Sequence, residues 1–203
     1  MKKPTYSLVV AATFAFCSFA NANITSTDFW NTDNNMQNCQ WSYPLKGGVP
    51  SASMLGYQYG VAGITGNVGT DTTTDPILYR GDDIFNDTTN AWSDYHLTIT
   101  LATNFTISAV QLFTADWYFT QGGLVQNGNQ YTEALDFYAN APADAIQLGS
   151  DLNFSYKLTF SGLTQYTITE TLAPSYVPEP GSVALATLGG LVFGGMMLRK
   201  RTR

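Results

Sequence analysis

Tyr95-His96-Leu97-Thr98-Ile99-Thr100-Leu101 alternates large apolar side chains with polar ones. A period of two places Tyr95, Leu97, Ile99 and Leu101 on one face of an extended strand and His96, Thr98 and Thr100 on the other. From this strand, Ala102-Thr103-Asn104 reads as a turn and Thr106 to Thr114 as a returning strand. A second hairpin is predicted at Asn127-Gly128, between Leu124-Val125 and Tyr131, because Asn-Gly readily takes the positive φ angles of a type I′ turn. A third runs from Phe154 to Leu172 around Ser161-Gly162, with Tyr156, Leu158 and Phe160 on one face and Lys157 and Thr159 on the other. The glycine-rich segment 46–69 reads as strands joined by tight turns, Asp71 to Pro76 as a loop, and Asn23 to Tyr43 as an opening strand with loops. Glu133 to Tyr138 is the one stretch read as a helical turn. Short strands with turn signals at this spacing predict an all-β domain over 23–176, an antiparallel β-sandwich of jelly-roll or immunoglobulin-like type.

Composition agrees with an exported β protein. Charged residues are only 12% of the 203, while Gly, Thr, Asn, Tyr and Phe are abundant. Residues 23–176 hold three basic side chains, Lys46, Arg80 and Lys157, against fourteen acidic ones, a net charge of −11. Such a surface repels nucleic acid and anionic lipid and favours cations or neutral glycans. The glycines of 46–69 are followed neither by Lys-Ser/Thr nor by a helical pattern, which excludes a phosphate loop.

The ends of the chain carry addresses. Met1-Lys2-Lys3, the apolar run Leu8 to Phe19 and Ala20-Asn21-Ala22 form the three regions of a secretory signal peptide over residues 1–22, with cleavage expected after Ala22. Cys17 lies in that leader, so Cys39 is alone in the mature chain and has no internal disulfide partner. At the other end, Val177-Pro178-Glu179-Pro180-Gly181 precedes an uncharged apolar run, 183–198, and the tail Arg199-Lys200-Arg201-Thr202-Arg203. As a helix that run spans about 24 Å, short of a bilayer core of about 30 Å, so local thinning or snorkelling of the basic end would cover the difference. The basic cluster would hold the C-terminus in the cytoplasm.

This order of parts over 177–203 resembles the PEP-CTERM sorting signal of Gram-negative bacteria, with Val177, Pro178, Glu179 and Pro180 on the motif. The resemblance implies a membrane protease, exosortase, as processing partner, a transient inner-membrane stage through helix 183–198, and a destination at the cell surface or in an extracellular matrix beside exopolysaccharide. The string Trp92-Ser93-Asp94-Tyr95-His96 resembles, more distantly, a strand opening in ectodomains of that family.

Catalytic readings are weak. His96 is the only histidine, no Gly-x-Ser-x-Gly elbow is present, and one His with one Cys cannot hold zinc. Glu133, Asp136 and Glu170 are the acidic candidates for glycoside hydrolysis, which needs two carboxyl groups across a cleft. Asp82-Asp83-Asp87 and Asp71-Asp75 are candidate Ca²⁺ loops without EF-hand spacing, and Arg80-Gly81-Asp82 reads as a chance tripeptide. The expectation is therefore a non-enzymatic protein without cofactor, metal or nucleic-acid partner, handled by the secretion machinery and exosortase. The alternative is a carbohydrate-binding module whose Trp92, Trp117, Tyr118 or Tyr138 stacks on the exopolysaccharide.

Overall fold

A computed structural model describes residues 22–31 and 35–176. The expected signal peptide before Ala22, the expected sorting motif Val177 to Pro180, the helix expected over 183–198 and the basic tail lie outside the described residues. Among the described residues no helix is long and apolar enough to cross a membrane.

The chain is built of strands in two sheets. The first holds β1 (Ile24–Asn31), β5 (Ala62–Thr70), β13 (Gln165–Tyr176), β7 (Trp92–Leu101), β11 (Gln130–Ala139) and β10 (Val125–Asn127) in that order, with β9 (Trp117–Gln121) also paired to β11. The second runs β2 (Met36–Ser42), β4 (Val49–Gln58), β6 (Ile77–Asn86), β12 (Asp151–Phe160) and β8 (Phe105–Leu112), with the short β3 (Leu45–Lys46) on β4. Every pairing is antiparallel except β4 with β6, which is parallel because the chain visits the first sheet as β5 between them.

Period-two patterning explains the packing. Tyr95, Leu97, Ile99 and Leu101 are all buried, as are Leu152, Phe154, Tyr156, Leu158 and Phe160 on β12, and these inward faces share one core between the sheets. Phe29 lies across Gly66, where a methyl group would overlap its ring, so glycine is required there. Ala109 sits at φ 50° in a bulge of β8, where the register against β12 shifts between Ser155 and Lys157.

Two of the three expected hairpins are not hairpins. The strand after Tyr95–Leu101 is β8, and 102–104 carries the chain across to the second sheet. The segment 154–172 likewise splits into β12 in one sheet and β13 in the other. Alternation tells which face of a strand is buried but not which sheet the strand joins. The Asn127-Gly128 hairpin does form, as β10 with β11, with Asn127 opposite Gln130 and Gly128 at φ 61°. Glu133 to Tyr138 is strand and not helical turn: Glu133 faces inward and accepts a 2.7 Å hydrogen bond from Gln121, so the inward row Glu133, Leu135, Phe137 has period two despite its charge. Ala173 to Tyr176 completes β13 beside β7.

Candidate functional site

The outward face of the first sheet concentrates side chains able to contact a ligand. On β7 it presents Asp94, His96, Thr98 and Thr100, the positions between the buried ones. Across the ladder lie Tyr138, Asp136 and Thr132 of β11 and Ser175, Thr171 and Thr169 of β13. The registers align one row of side chains over five strands: Trp30, Thr65, Thr169, Thr100 and Thr132 stand opposite one another in turn. The Thr100 and Thr132 hydroxyls are 3.1 Å apart. None of the seven strands of this sheet contains lysine or arginine.

At the β9–β11 end, Tyr118 and Tyr138 stack with ring centroids 5.4 Å apart, and His96 meets the Tyr138 ring edge-on at 6.3 Å. His96 Nδ1 lies 2.7 Å from Asp136 Oδ1, so the carboxylate directly across the ladder sets the tautomer. His96 Nε2 is 3.7 Å from Asp94 Oδ1 and 3.5 Å from Ser175 Oγ. Ser175, His96 and Asp136 are thus connected in the order of a hydrolase triad. Asp94 competes with Ser175 for Nε2, and the three groups lie on the open outer face of the paired strands β7, β11 and β13.

The four aromatic candidates divide. Tyr118 is 49% exposed and Tyr138 half-buried, both on the outward face. Trp92 is 0% and Trp117 7% exposed, so neither indole offers a face to a sugar, and both leave the set of glycan contacts. Trp92 Nε1 donates to Thr88 Oγ1 at 3.2 Å and Trp117 Nε1 to the Asp144 carbonyl at 2.8 Å, the usual satisfaction of a buried indole. Trp30, missed by sequence reading, is 40% exposed. Its only signal was the pair Phe29-Trp30, which in a strand must point one ring inward and the other out.

The acidic candidates do not converge. Glu133 and Glu170 face the core while Asp136 faces out. Asp71 accepts from the Asn23 backbone and side chain, Asp87 accepts from Gln37 at 2.5 Å, and Asp82 is buried while Asp83 points the other way. Among the described residues no group of three or more His, Cys, Asp or Glu is placed to hold a metal ion. Asp83 lies beside Asp151 on the outer face of the second sheet, and partial burial together with that neighbouring carboxylate pushes its pKa up to about 6. Burial also pushes the Cys39 thiol up, which leaves it a poor nucleophile.

Inside the sandwich, Arg80 is fully buried. Its Nε and Nη2 donate to the two oxygens of Glu170 at 2.8 and 2.6 Å, Nη2 also donates to Asp82 Oδ1 at 2.9 Å, and Nη1 donates to the Ala52 carbonyl at 2.6 Å. Tyr156 donates to Glu170 at 2.6 Å, and the guanidinium lies 4.7 Å from the Phe29 ring centroid and 5.1 Å from that of Trp41. Asp82 Oδ2 has no hydrogen-bond partner. Burial drives the Asp82 pKa up to about 7, against the lowering effect of Arg80 and with the help of Glu170. The tripeptide read as chance is a core element: Arg80 and Asp82 share the inward face of β6. With no access to solvent, this network ties the sheets together and is not a ligand site.

No family model, no curated protein and no solved structure matches this chain, so the reading of its site rests on its own geometry.

Proposed function

We propose that this is an exported, non-enzymatic protein of the PEP-CTERM type, delivered by the secretory pathway, held transiently in the inner membrane by helix 183–198, processed by exosortase and released to the cell surface or extracellular matrix. The observation that carries this reading is the C-terminal order of Pro178-Glu179-Pro180, a short uncharged apolar run and a basic end. The ectodomain reading is a jelly roll rather than an immunoglobulin-like sandwich. It is supported by the strand order: β5-β13-β7-β11 in one sheet and β6-β12-β8 in the other are visited alternately by the chain, as in two interlocked Greek keys.

A second reading, contact with the accompanying exopolysaccharide, is favoured by the stacked Tyr118 and Tyr138 on a hydroxyl-rich sheet face. Intact mass spectrometry of the extracellular protein tests the first reading. It is expected to show a chain beginning at Asn23 and lacking the segment beyond about Pro180. A secreted form that keeps its full tail overturns it.

A further inference from the structure

The aromatic end at Tyr118 faces, across the same sheet, a second constellation that the sequence did not signal. At the β1 edge a groove of about 580 Å³ runs between β1, β5 and β13, lined on its polar side by Ser26, Asp28, Asn67, Gln165 and Thr167. Gly69 keeps it open, since a methyl group there would reach to within 2.5 Å of Ser26 Oγ. Thr167 donates to Asn67 Oδ1 at 3.2 Å, which leaves the Asn67 amide NH₂ as a donor for a ligand. Trp30 stands two residues beyond Asp28 on the same face of β1, about 7 Å along the strand. It is the one tryptophan with an exposed ring, and beside it begins the threonine row Thr65, Thr169, Thr100 and Thr132.

We propose that this groove and Trp30 form a binding site for a neutral, linear polysaccharide, with one sugar stacked on the Trp30 indole and its neighbours hydrogen-bonded to Asp28, Asn67 and Thr167. The inference rests on the glycan-contact reading and adds to it a location and a ligand class. A sugar ring presents an apolar C–H face and a rim of hydroxyls. It is matched by an exposed indole beside short amide, hydroxyl and carboxylate groups that can each donate or accept at its rim. Charge selects among polymers. The strands of the sheet hold no lysine or arginine and Asp28 lies in the groove, so a polyanionic chain would meet a repelling carboxylate there, whereas an uncharged one brings no charge to desolvate. The threonine row extends the polar surface from Trp30 across the sheet at about 4.8 Å per strand, a path for a chain of several sugars and not a pocket for one.

The test is affinity electrophoresis of the full-length protein in mild detergent, through gels containing hydroxyethyl cellulose, galactomannan, dextran or, as the anionic comparison, alginate. Retardation is expected in at least one neutral gel and not in alginate. Trp30→Ala should weaken that retardation about tenfold and Asn67→Ala by a smaller factor, while Tyr118→Ala changes it less than about twofold. A native circular dichroism spectrum accompanies each variant, and if Trp30→Ala does not fold, Trp30→Leu and Asn67→Ala decide. Retardation by no neutral polysaccharide, or by alginate alone, overturns the proposal together with the glycan-contact reading. Retardation that survives Trp30→Ala and Asn67→Ala but is lost in Tyr118→Ala overturns the groove and leaves the glycan reading at the tyrosine end.

Discussion

Two nitrogen–carboxylate clusters flank the same sheet, one on each face. Arg80 meets Glu170 at 2.6 Å inside the sandwich, and His96 meets Asp136 at 2.7 Å on its outside. The distances are nearly equal and the consequences are not. Both Arg80 and Glu170 side chains are fully enclosed, so each has exchanged all its water for protein partners and neither can lose the other without leaving a buried charge. His96 and Asp136 keep more than a quarter of their side-chain surface in solvent, where screening and competing water reduce such a pair to at most about 1 kcal/mol. Bond length therefore says little about what a pair contributes. Burial decides whether it secures the fold or remains free to meet a ligand.

The largest effect that would break this contrast is expected from Arg80→Ala. Removing the guanidinium strands Glu170 and Asp82 in the core and also removes the flat partner of Phe29 and Trp41. A loss of about 3–5 kcal/mol is expected, measured by denaturant unfolding, or failure to fold at all. A loss below about 1 kcal/mol would mean that water reaches the network and that the two clusters are alike.

The next effect is a pH dependence that separates the faces. Asp82 has its pKa raised by burial from 3.8 to about 7, and Asp83 from 3.8 to about 6. Between about pH 4 and the raised values the unfolded chain has released protons that the folded chain still holds. Stability should therefore fall as pH rises through that window and level off above about 7. Thermal unfolding is expected to show a higher Tm near pH 5 than near pH 8, and Asp82→Asn, which cannot ionise, should flatten most of the slope. A Tm that rises from pH 5 to 8 would show that Asp82 is ionised in the fold.

Ala109→Gly probes the backbone instead of the charges. Relief of its positive φ should stabilise the protein by up to about 1 kcal/mol, read as a rise in Tm.

The smallest effect is assigned to the outer pair. His96→Ala should change stability by no more than about 0.5 kcal/mol and leave the circular dichroism spectrum unaltered. An ester or polysaccharide hydrolase activity that disappears in folded His96→Ala would make the Ser175-His96-Asp136 connection functional and overturn the non-enzymatic reading.

How much of this was legible beforehand depended on what a linear pattern encodes. Strand existence was readable wherever apolar residues recur at period two, as at Tyr95 to Leu101 and Phe154 to Phe160, because half-burial leaves that mark directly. Partner choice was not. A link such as Ala102-Thr103-Asn104 is as suitable for crossing between sheets as for reversing within one. Glu133, Arg80 and Glu170 are hard to place from sequence for a common reason: a charge at an inward position looks like a break in the pattern until its partner, here up to ninety residues away, is known. Trp92 and Trp117 enter the alternative set of glycan contacts because tryptophan serves equally in cores and at surfaces, while Trp30 lies in a strand too irregular to assign its face.

Strand β13 has a consequence for the order of events in folding. It is the last strand of the described residues, yet it occupies the middle of the first sheet, between β5 and β7, and it supplies Glu170 to Arg80 across the core. Until those final residues emerge, β5 and β7 have no common neighbour and Arg80 has no bidentate acceptor. The domain thus cannot lock until residues 165–176 are available to pair. Folding then has to close contacts about a hundred residues apart, so it should be slow beside that of helical domains of similar size.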